Sequence, residues 1–336
     1  MEQMEISIRE PSKTFLSAEQ IMAMELPPQR HLVKGIIAVG CNLLAGKPKI
    51  GKSWLALQIA ISVSLGKPLF DSFAVDKKEV LYLALEDNRR RIKKRLSMTL
   101  KESDHPHNLF FVTDCPRASN GGLMLIENFL QTQHDPGLII IDTLARFRDV
   151  PGSNKNSYLA DYEAISSLKK IADSHEITIL IIHHLRKYDN ADDPLDNISG
   201  TTGLSGATDA NIVLARDRKS NIATMYVEGR DIERQEIGLK FERDTVSWCL
   251  TSPIEKLSPE RREIVELLQK AKTENKTMSP KEIADTLGKK RETIRQLLMK
   301  MTADDEVESV GRGAYTIPDY NNNIGNNDHT DNINNN

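Results

Sequence analysis

Residues 46–53 read Gly-Lys-Pro-Lys-Ile-Gly-Lys-Ser, and this octet restricts the folds open to the chain more than any other stretch. Two glycines flank four residues and are followed by Lys-Ser, a spacing that lets successive backbone N–H groups converge on phosphate oxygens. Such a loop needs a strand before it and a helix after it, because the positive N-terminal end of the helix faces the same anion. Both are legible. Cys41–Leu44 is a short apolar run that reads as a strand, and 54–65 carries a helical pattern. The chain is therefore expected to bind ATP with Mg²⁺. Gly46, Lys47, Pro48, Lys49, Ile50, Gly51, Lys52, Ser53 and Trp54 form the loop and its helical exit. Lys52 is expected to reach the β- and γ-phosphates, and the Ser53 hydroxyl to ligate the metal.

Further apolar runs recur at 79–84, 138–141, 178–182 and 211–214, separated by longer helical stretches such as 158–174. Continuous Val/Ile/Leu runs of this length suit strands buried on both faces of a parallel sheet. Their alternation with helices predicts an α/β domain. Residues 222–227, 238–241 and 247–250 are short strands joined by turns and predict an antiparallel edge. At 336 residues the chain exceeds what one core usually holds, about 250–300 residues, so a second, smaller unit is expected. The expected divisions are a leader over 1–30, an ATPase domain over 31–252, a small domain over 253–318 and an Asn-rich tail over 319–336. The leader carries one short helical stretch around 17–24, ended by Pro27 and Pro28. The tail has too few apolar groups to offset chain entropy and reads as disordered.

The formal charge of −3 argues against a wholly basic nucleic-acid coat, so any DNA contact must be local. The three cysteines, Cys41, Cys115 and Cys249, form no Cys-x-x-Cys pair. They point to a reducing compartment rather than a disulfide framework. The start lacks the apolar core of a signal peptide, and no apolar run approaches the ~20 residues of a membrane span. A cytoplasmic protein without a membrane partner is expected.

Three of the apolar runs end in groups with chemistry to offer. Leu138-Ile-Ile-Ile-Asp142 delivers an acid to a strand's C-terminal edge, where ligands bind in open α/β sheets. Asp142 is expected to hold the Mg²⁺ shell, the alternative being that Asp142-Thr143 caps a helix. Leu81-Tyr-Leu-Ala-Leu-Glu86-Asp87 ends in two acids. Glu86 is expected to polarise the attacking water, unless the pair only starts the helix carrying Arg89 to Arg95. That basic run reads as a solvated helix face or a subunit contact. Ile179-Leu-Ile-Ile-His183-His184 ends in two histidines whose side chains point to opposite faces, which disfavours a shared metal ion. A histidine that senses the γ-phosphate is the better reading.

Past a linker around 251–253, the chain shows three helical stretches and then two short strands. Residues 259–270 are amphipathic. Ser279, Pro280 and Gly288 punctuate a second helix as N-cap, first residue and terminator. A third, over 290–301, turns Ile294, Leu297, Leu298 and Met301 inward. Two short strands around Gly311-Arg312-Gly313 complete what resembles a winged helix-turn-helix. Lys290, Arg291 and Arg295 would then face duplex DNA, with Gln296 in reach of a base edge and Arg312 at the wing tip. A protein-binding module is the alternative.

Taken in order, the motifs resemble those of RecA-type P-loop ATPases, and among them the plasmid RepA-type hexameric helicases and their relatives on phages and mobile elements. The residues that carry the likeness are Leu44-Ala-Gly-Lys-Pro-Lys-Ile-Gly-Lys-Ser-Trp54, 81–87, Ile139-Ile-Ile-Asp142-Thr143, Ile182-His-His-Leu-Arg-Lys187 and Gly203-Leu-Ser-Gly-Ala207. The resemblance implies a glutamate base at Glu86, a Mg²⁺-water acid at Asp142 and a phosphate sensor at His184. It also implies a homo-oligomeric ring, a hexamer, with hydrolysis at subunit interfaces and an arginine supplied by the neighbour. Arg230, in Val227-Glu-Gly-Arg230, stands where replicative helicases place a Lys-x-Arg pair, although Glu228 replaces the lysine. Arg216 and Arg218 are the alternatives. The segment 186–206 would face the ring channel, with Lys187 and Arg186 near single-stranded DNA. Its four aspartates, Asp189, Asp192, Asp193 and Asp196, fit a lid or interface loop equally well. The implied function is a DNA helicase or motor in replication of a plasmid, phage or mobile element. A DNA-binding replication or transcription regulator switched by ATP, and a recombination or repair ATPase, are the alternatives.

Overall fold

The computed structural model describes residues 16–26, 28–150, 157–185, 194–195, 204–216, 220–251, 259–274, 276–303, 306–311 and 313–318. The phosphate-loop strand β3 (Gly40–Gly46) lies inside a nine-stranded sheet, where the apolar runs come together. Its parallel neighbours are β7 (Thr178–His184) on one side and β8 (Ala210–Arg216) on the other. Beyond β7 come β6 (Pro136–Asp142), β4 (Glu79–Ala84) and the edge strand β5 (Leu109–Val112), all parallel. Beyond β8 the sheet continues antiparallel through β9 (Ile222–Gly229), β10 (Gln235–Glu242) and β11 (Ser247–Leu250). The expected antiparallel edge is therefore real. A parallel crossover needs a long connection, usually a helix, to return the chain, whereas hairpins do not, and the sequence changes composition at that switch.

Side chains of the central strands alternate between two hydrophobic layers, as a strand period of two requires. Leu44, Ile140, Leu180 and Ile182 face α2 (Lys52–Leu65), while Leu43, Ile139, Ile141 and Ile181 face α4 (Gly122–Thr132) and α6 (Ser157–His175). α2 is buried around most of its circumference because the antiparallel strands fold over it: Trp248 of β11 is 1% exposed.

Two features escaped the sequence reading. The edge strand β5, which follows the expected helix of the basic run, α3 (Arg89–Thr99), extends the parallel sheet, and a small ribbon, β1 (His31–Val33) with β2 (Ile37–Ala38), precedes β3. The short leader helix, α1 (Ala18–Met22), is present with a capping box at Ser17, and none of its residues is buried. Past the sheet, α7 (Pro259–Thr273), α8 (Pro280–Leu287) and α9 (Arg291–Ala303) enclose a hydrophobic cluster of their own around Ile264, Leu268, Ile283, Ile294, Leu298 and Met301. β12 (Glu308–Ser309) and β13 (Tyr315–Thr316) pair antiparallel beside them. The tail over 319–336 lies outside the described residues.

Candidate nucleotide site

Strand register brings the predicted groups together. β3 and β7 pair so that Gly46 stands opposite His184, and β4 and β6 pair so that Ala84 stands opposite Asp142. Four parallel strands thus deliver the loop, His184, Asp142 and Glu86 to one edge of the sheet.

The loop is shaped by its two glycines. Gly46 has φ 154° and Gly51 φ 108°, conformations that L side chains rarely adopt. A Cβ on Gly46 would lie 2.6 Å from the Leu214 carbonyl oxygen, and one on Gly51 would lie 2.7 Å from Trp248 Cζ2. The indole is the floor of the loop, and its Nε1–H donates to the Gly51 carbonyl at 3.3 Å. Lys47, Pro48 and Lys49 are exposed at the crest, while Ile50 is buried. Trp54 leaves the loop half-buried, with the Arg95 guanidinium 5.1 Å above its ring.

Lys52 is 3% exposed. Its Nζ donates to the Gly46 and Lys47 carbonyls at 2.7 and 2.9 Å and lies 3.0 Å from His184 Nδ1. Burial pulls its pKa down to about 8, against the opposing influence of Asp142 and Glu86. An ammonium only donates, so His184 Nδ1 accepts and the ring proton sits on Nε2, which faces Glu86 Oε2 at 3.9 Å. Burial, and then the charge of Lys52, hold His184 below the ordinary histidine value, which favours this neutral form.

Asp142 is 5% exposed and accepts from the Tyr82 hydroxyl at 3.0 Å. Burial raises its pKa, offset by hydrogen bonds from Ser53 and Tyr82. A buried carboxylate beside a serine hydroxyl at a helix N-terminus is a set of hard oxygen donors, the kind Mg²⁺ takes. Ser53 and Asp142 therefore fit that ion.

Glu86 is half-exposed, and Thr143 Oγ1 donates to its Oε1 at 3.1 Å. Neither Glu86 nor Thr143 supplies a side-chain cap to the helix that follows it. α3 is capped by Asn88, whose side chain accepts from Arg91 N–H, and Asp87 pairs with Arg91 and Arg95. Thr143 precedes the short helix α5 (Leu144–Phe147) without a side-chain cap, because its hydroxyl is turned to Glu86. In the basic run, Arg89, Arg90, Arg91, Lys93 and Lys94 are exposed, as a solvated face requires; Arg95 is not.

Sequence reasoning missed Tyr82, Thr143 and Trp248. Their contacts follow from which strands pair, and only the strand alternation around Tyr82 hinted at an inward side chain.

The candidate arginines separate cleanly. Arg216 lies beside the loop in its own chain: Nη1 donates to the Ile50 carbonyl at 3.4 Å and the guanidinium stacks on Phe241 and Trp248 at 5.4 and 5.3 Å. Arg230 follows β9 at the opposite edge of the sheet, where Gly229 pairs with Ala210, and its side chain is exposed. Lys290, just before α9, and Arg291, Arg295 and Gln296 on it are exposed. Lys187, Arg186, Arg218 and Arg312 lie outside the described residues.

Among the described residues no helix is long and apolar enough to cross a membrane. No curated protein matches the chain by sequence. Among solved structures the chain is similar to one described as a DnaB-like replicative helicase and its interactions with primase, at 16% identity and TM-score 0.53. The likeness covers 63% of this chain and 57% of that one, so the chain spans little more than half of that relative's length. At this identity the likeness is one of fold, a RecA-like core with a mainly parallel sheet. A family model described as "AAA domain" matches residues 8–190, more than half of the 336. The chain belongs to this AAA domain family, AAA_25, and has a RecA-like P-loop fold.

Proposed function

We propose that the chain is a Mg²⁺-dependent ATP hydrolase that works as a ring and drives DNA unwinding, as a RepA-type helicase does in replication of a plasmid, phage or mobile element. The observation that carries the reading is the convergence of Lys52, Ser53, Asp142, Glu86 and His184 at one sheet edge, on four parallel strands in register. In this reading Glu86, oriented by Thr143, takes the proton of the attacking water. Lys52 binds the β- and γ-phosphates, and His184, between Lys52 and Glu86, senses the γ-phosphate. Ser53 and Asp142 hold Mg²⁺, which when bound shields the phosphate charge. Arg230 lies too far across its own sheet to serve its own loop, which supports a role in the neighbour's site. Arg216 is committed to its own loop and is set aside as the finger.

We also propose the division 31–252 for the ATPase and 253–318 for a winged helix-turn-helix. The separate cluster around Ile264 and Leu298 and the exposed cations Lys290, Arg291 and Arg295 support it. These cations favour a second reading, an ATP-switched regulator whose working end is this unit. One experiment separates the two: turnover measured with and without single-stranded DNA, alongside strand displacement. A motor shows turnover stimulated several-fold by single strands and unwinds a forked duplex. Turnover and unwinding both indifferent to single strands would sink it.

A further inference from the structure

Arg230 is exposed, and among the described residues no carboxylate pairs with it, yet the main chain that carries it is tightly held. Its N–H donates to the Asp209 carbonyl at 2.9 Å, and its Nη2 donates to the Gly206 carbonyl at 3.2 Å. Both acceptors belong to the turn before β8. That turn is fixed in its turn by the Asp209 side chain. Asp209 N–H donates to the Cys41 carbonyl at 2.7 Å, and Cys41 N–H donates back to Asp209 Oδ2 at 2.9 Å. Lys169 Nζ, from α6, donates to both carboxylate oxygens at 2.8 Å and to Asp173 at 3.1 Å. The Asp209 side chain is only 15% exposed.

Two glycines make room for this arrangement. A Cβ on Gly40 would lie 2.5 Å from Asp209 Oδ2, and a Cβ on Gly229 would lie 2.8 Å from the Asp209 carbonyl oxygen. β3 and β8 begin their ladder at Asn42 and Ala210, so the Asp209 carboxylate sits just outside it, at the edge where the Arg230 turn leaves the sheet. Sheet pairing alone therefore does not require the ion pair. A flexible arginine reaching a phosphate must hold its position closely, since about 1 Å of misplacement costs on the order of 10²-fold in rate.

We propose that Asp209, clamped by Lys169, is a positioning residue for Arg230: it sets the turn from which Arg230 reaches the nucleotide of a neighbouring copy. The inference rests on the shared-site reading above. Asp209 bonds the start of β3, at Cys41, whereas the phosphate loop leaves the strand's other end at Gly46. Its loss therefore removes an arginine from the next site and leaves its own loop intact.

Mixed assemblies test this directly. A Lys52→Ala copy has a dead loop but supplies Arg230, and an Arg230→Ala copy has a working loop but supplies no finger. Random mixing at equal ratio gives about a quarter of the interfaces a working loop and a working finger, so about a quarter of wild-type turnover returns. No recovery in this control overturns the shared site itself. With the control in hand, Asp209→Asn alone should bind ATP normally and lose at least tenfold in kcat with KM for ATP within twofold. Mixed with Lys52→Ala it should recover as Arg230→Ala does. A copy carrying both Lys52→Ala and Asp209→Asn should fail to rescue Arg230→Ala. Wild-type kcat for Asp209→Asn, a loss that Lys52→Ala copies do not restore, or rescue by the double variant each overturns the positioning role. Should Asp209→Asn not fold, Lys169→Met is scored by the same criteria, and Lys169→Arg is expected to retain activity.

Discussion

Lys52 is the residue on which the loop's electrostatics turn. Its ammonium is held out of water, and burial brings its pKa to about 8. Below that pH the free protein carries a charged Lys52, so ATP meets a cation. Above it the side chain is neutral, and binding a polyanion must first take up a proton. ATP affinity is therefore expected to be flat below about pH 7 and to fall by about tenfold per unit as pH rises past 8. Calorimetric titration in buffers of different ionisation enthalpy should detect one proton taken up per ATP at pH 9. Lys52→Ala should abolish the uptake; a wild-type protein that binds ATP without it contradicts the buried-lysine account. At this scale the sequence named Lys52, Ser53, Asp142 and His184 because each sits in a motif or at the end of an apolar run. It gave Tyr82 no role and offered Thr143 only as part of a helix cap. Their partners, Asp142 and Glu86, lie 57 to 60 residues away and meet them only because β4 pairs with β6.

Among the elements, α2 and β11 form the unit that holds the phosphate loop. The Gln58 side chain donates to the Trp248 carbonyl and accepts from its N–H, both at 2.8 Å, which ties strand to helix. The indole lies under Gly51 and bonds its carbonyl. Trp248→Phe keeps an apolar ring but removes that hydrogen bond and some volume, at a cost of about 1–3 kcal/mol. A Tm lower by roughly 2–8 °C and ATP affinity weakened several-fold are expected, and thermal melts with and without ATP measure both. Unchanged affinity would mean that the indole stabilises the sheet without shaping the loop. The central strands were legible because they are continuous apolar runs bounded by helices. β5 was not, since Leu109–Val112 is short and partly exposed at the edge. Its place depends on α3, whose basic sequence hides the single buried Ile92.

For the whole molecule, two hydrophobic clusters sandwich the sheet and a third lies within 264–317. A chain ending at 252 therefore keeps the contacts described above for the loop, Asp142 and His184. It is expected to retain basal ATP turnover within about threefold and to lose duplex DNA affinity by at least tenfold, the loss being electrostatic and steeper at low salt. Fluorescence anisotropy with labelled duplex, beside a coupled ATPase assay, reads both quantities. Loss of turnover on truncation would show that the two parts are energetically one. The expectation of a second unit came from length and from the capping residues Ser279 and Gly288, signals that act locally and survive without knowledge of pairing. Ring assembly has no such local signature: Arg230 is named in the sequence only through the resemblance to replicative helicases, and its place at the far edge of its own sheet follows from the pairing of β8 with β9.

The floor under Gly51 has a further consequence, in the order of events during synthesis. Trp248 and Gln58 stand 190 positions apart, and between them the ribosome must make almost the entire sheet. A nascent chain that has just emerged with its glycines and Lys52 has no indole beneath them and no β11 against α2. The triphosphate cradle is thus completed by nearly the last strand to be translated. A half-made protein is therefore expected to hold nucleotide weakly, and a firm grip on ATP to follow only the closing of the sheet.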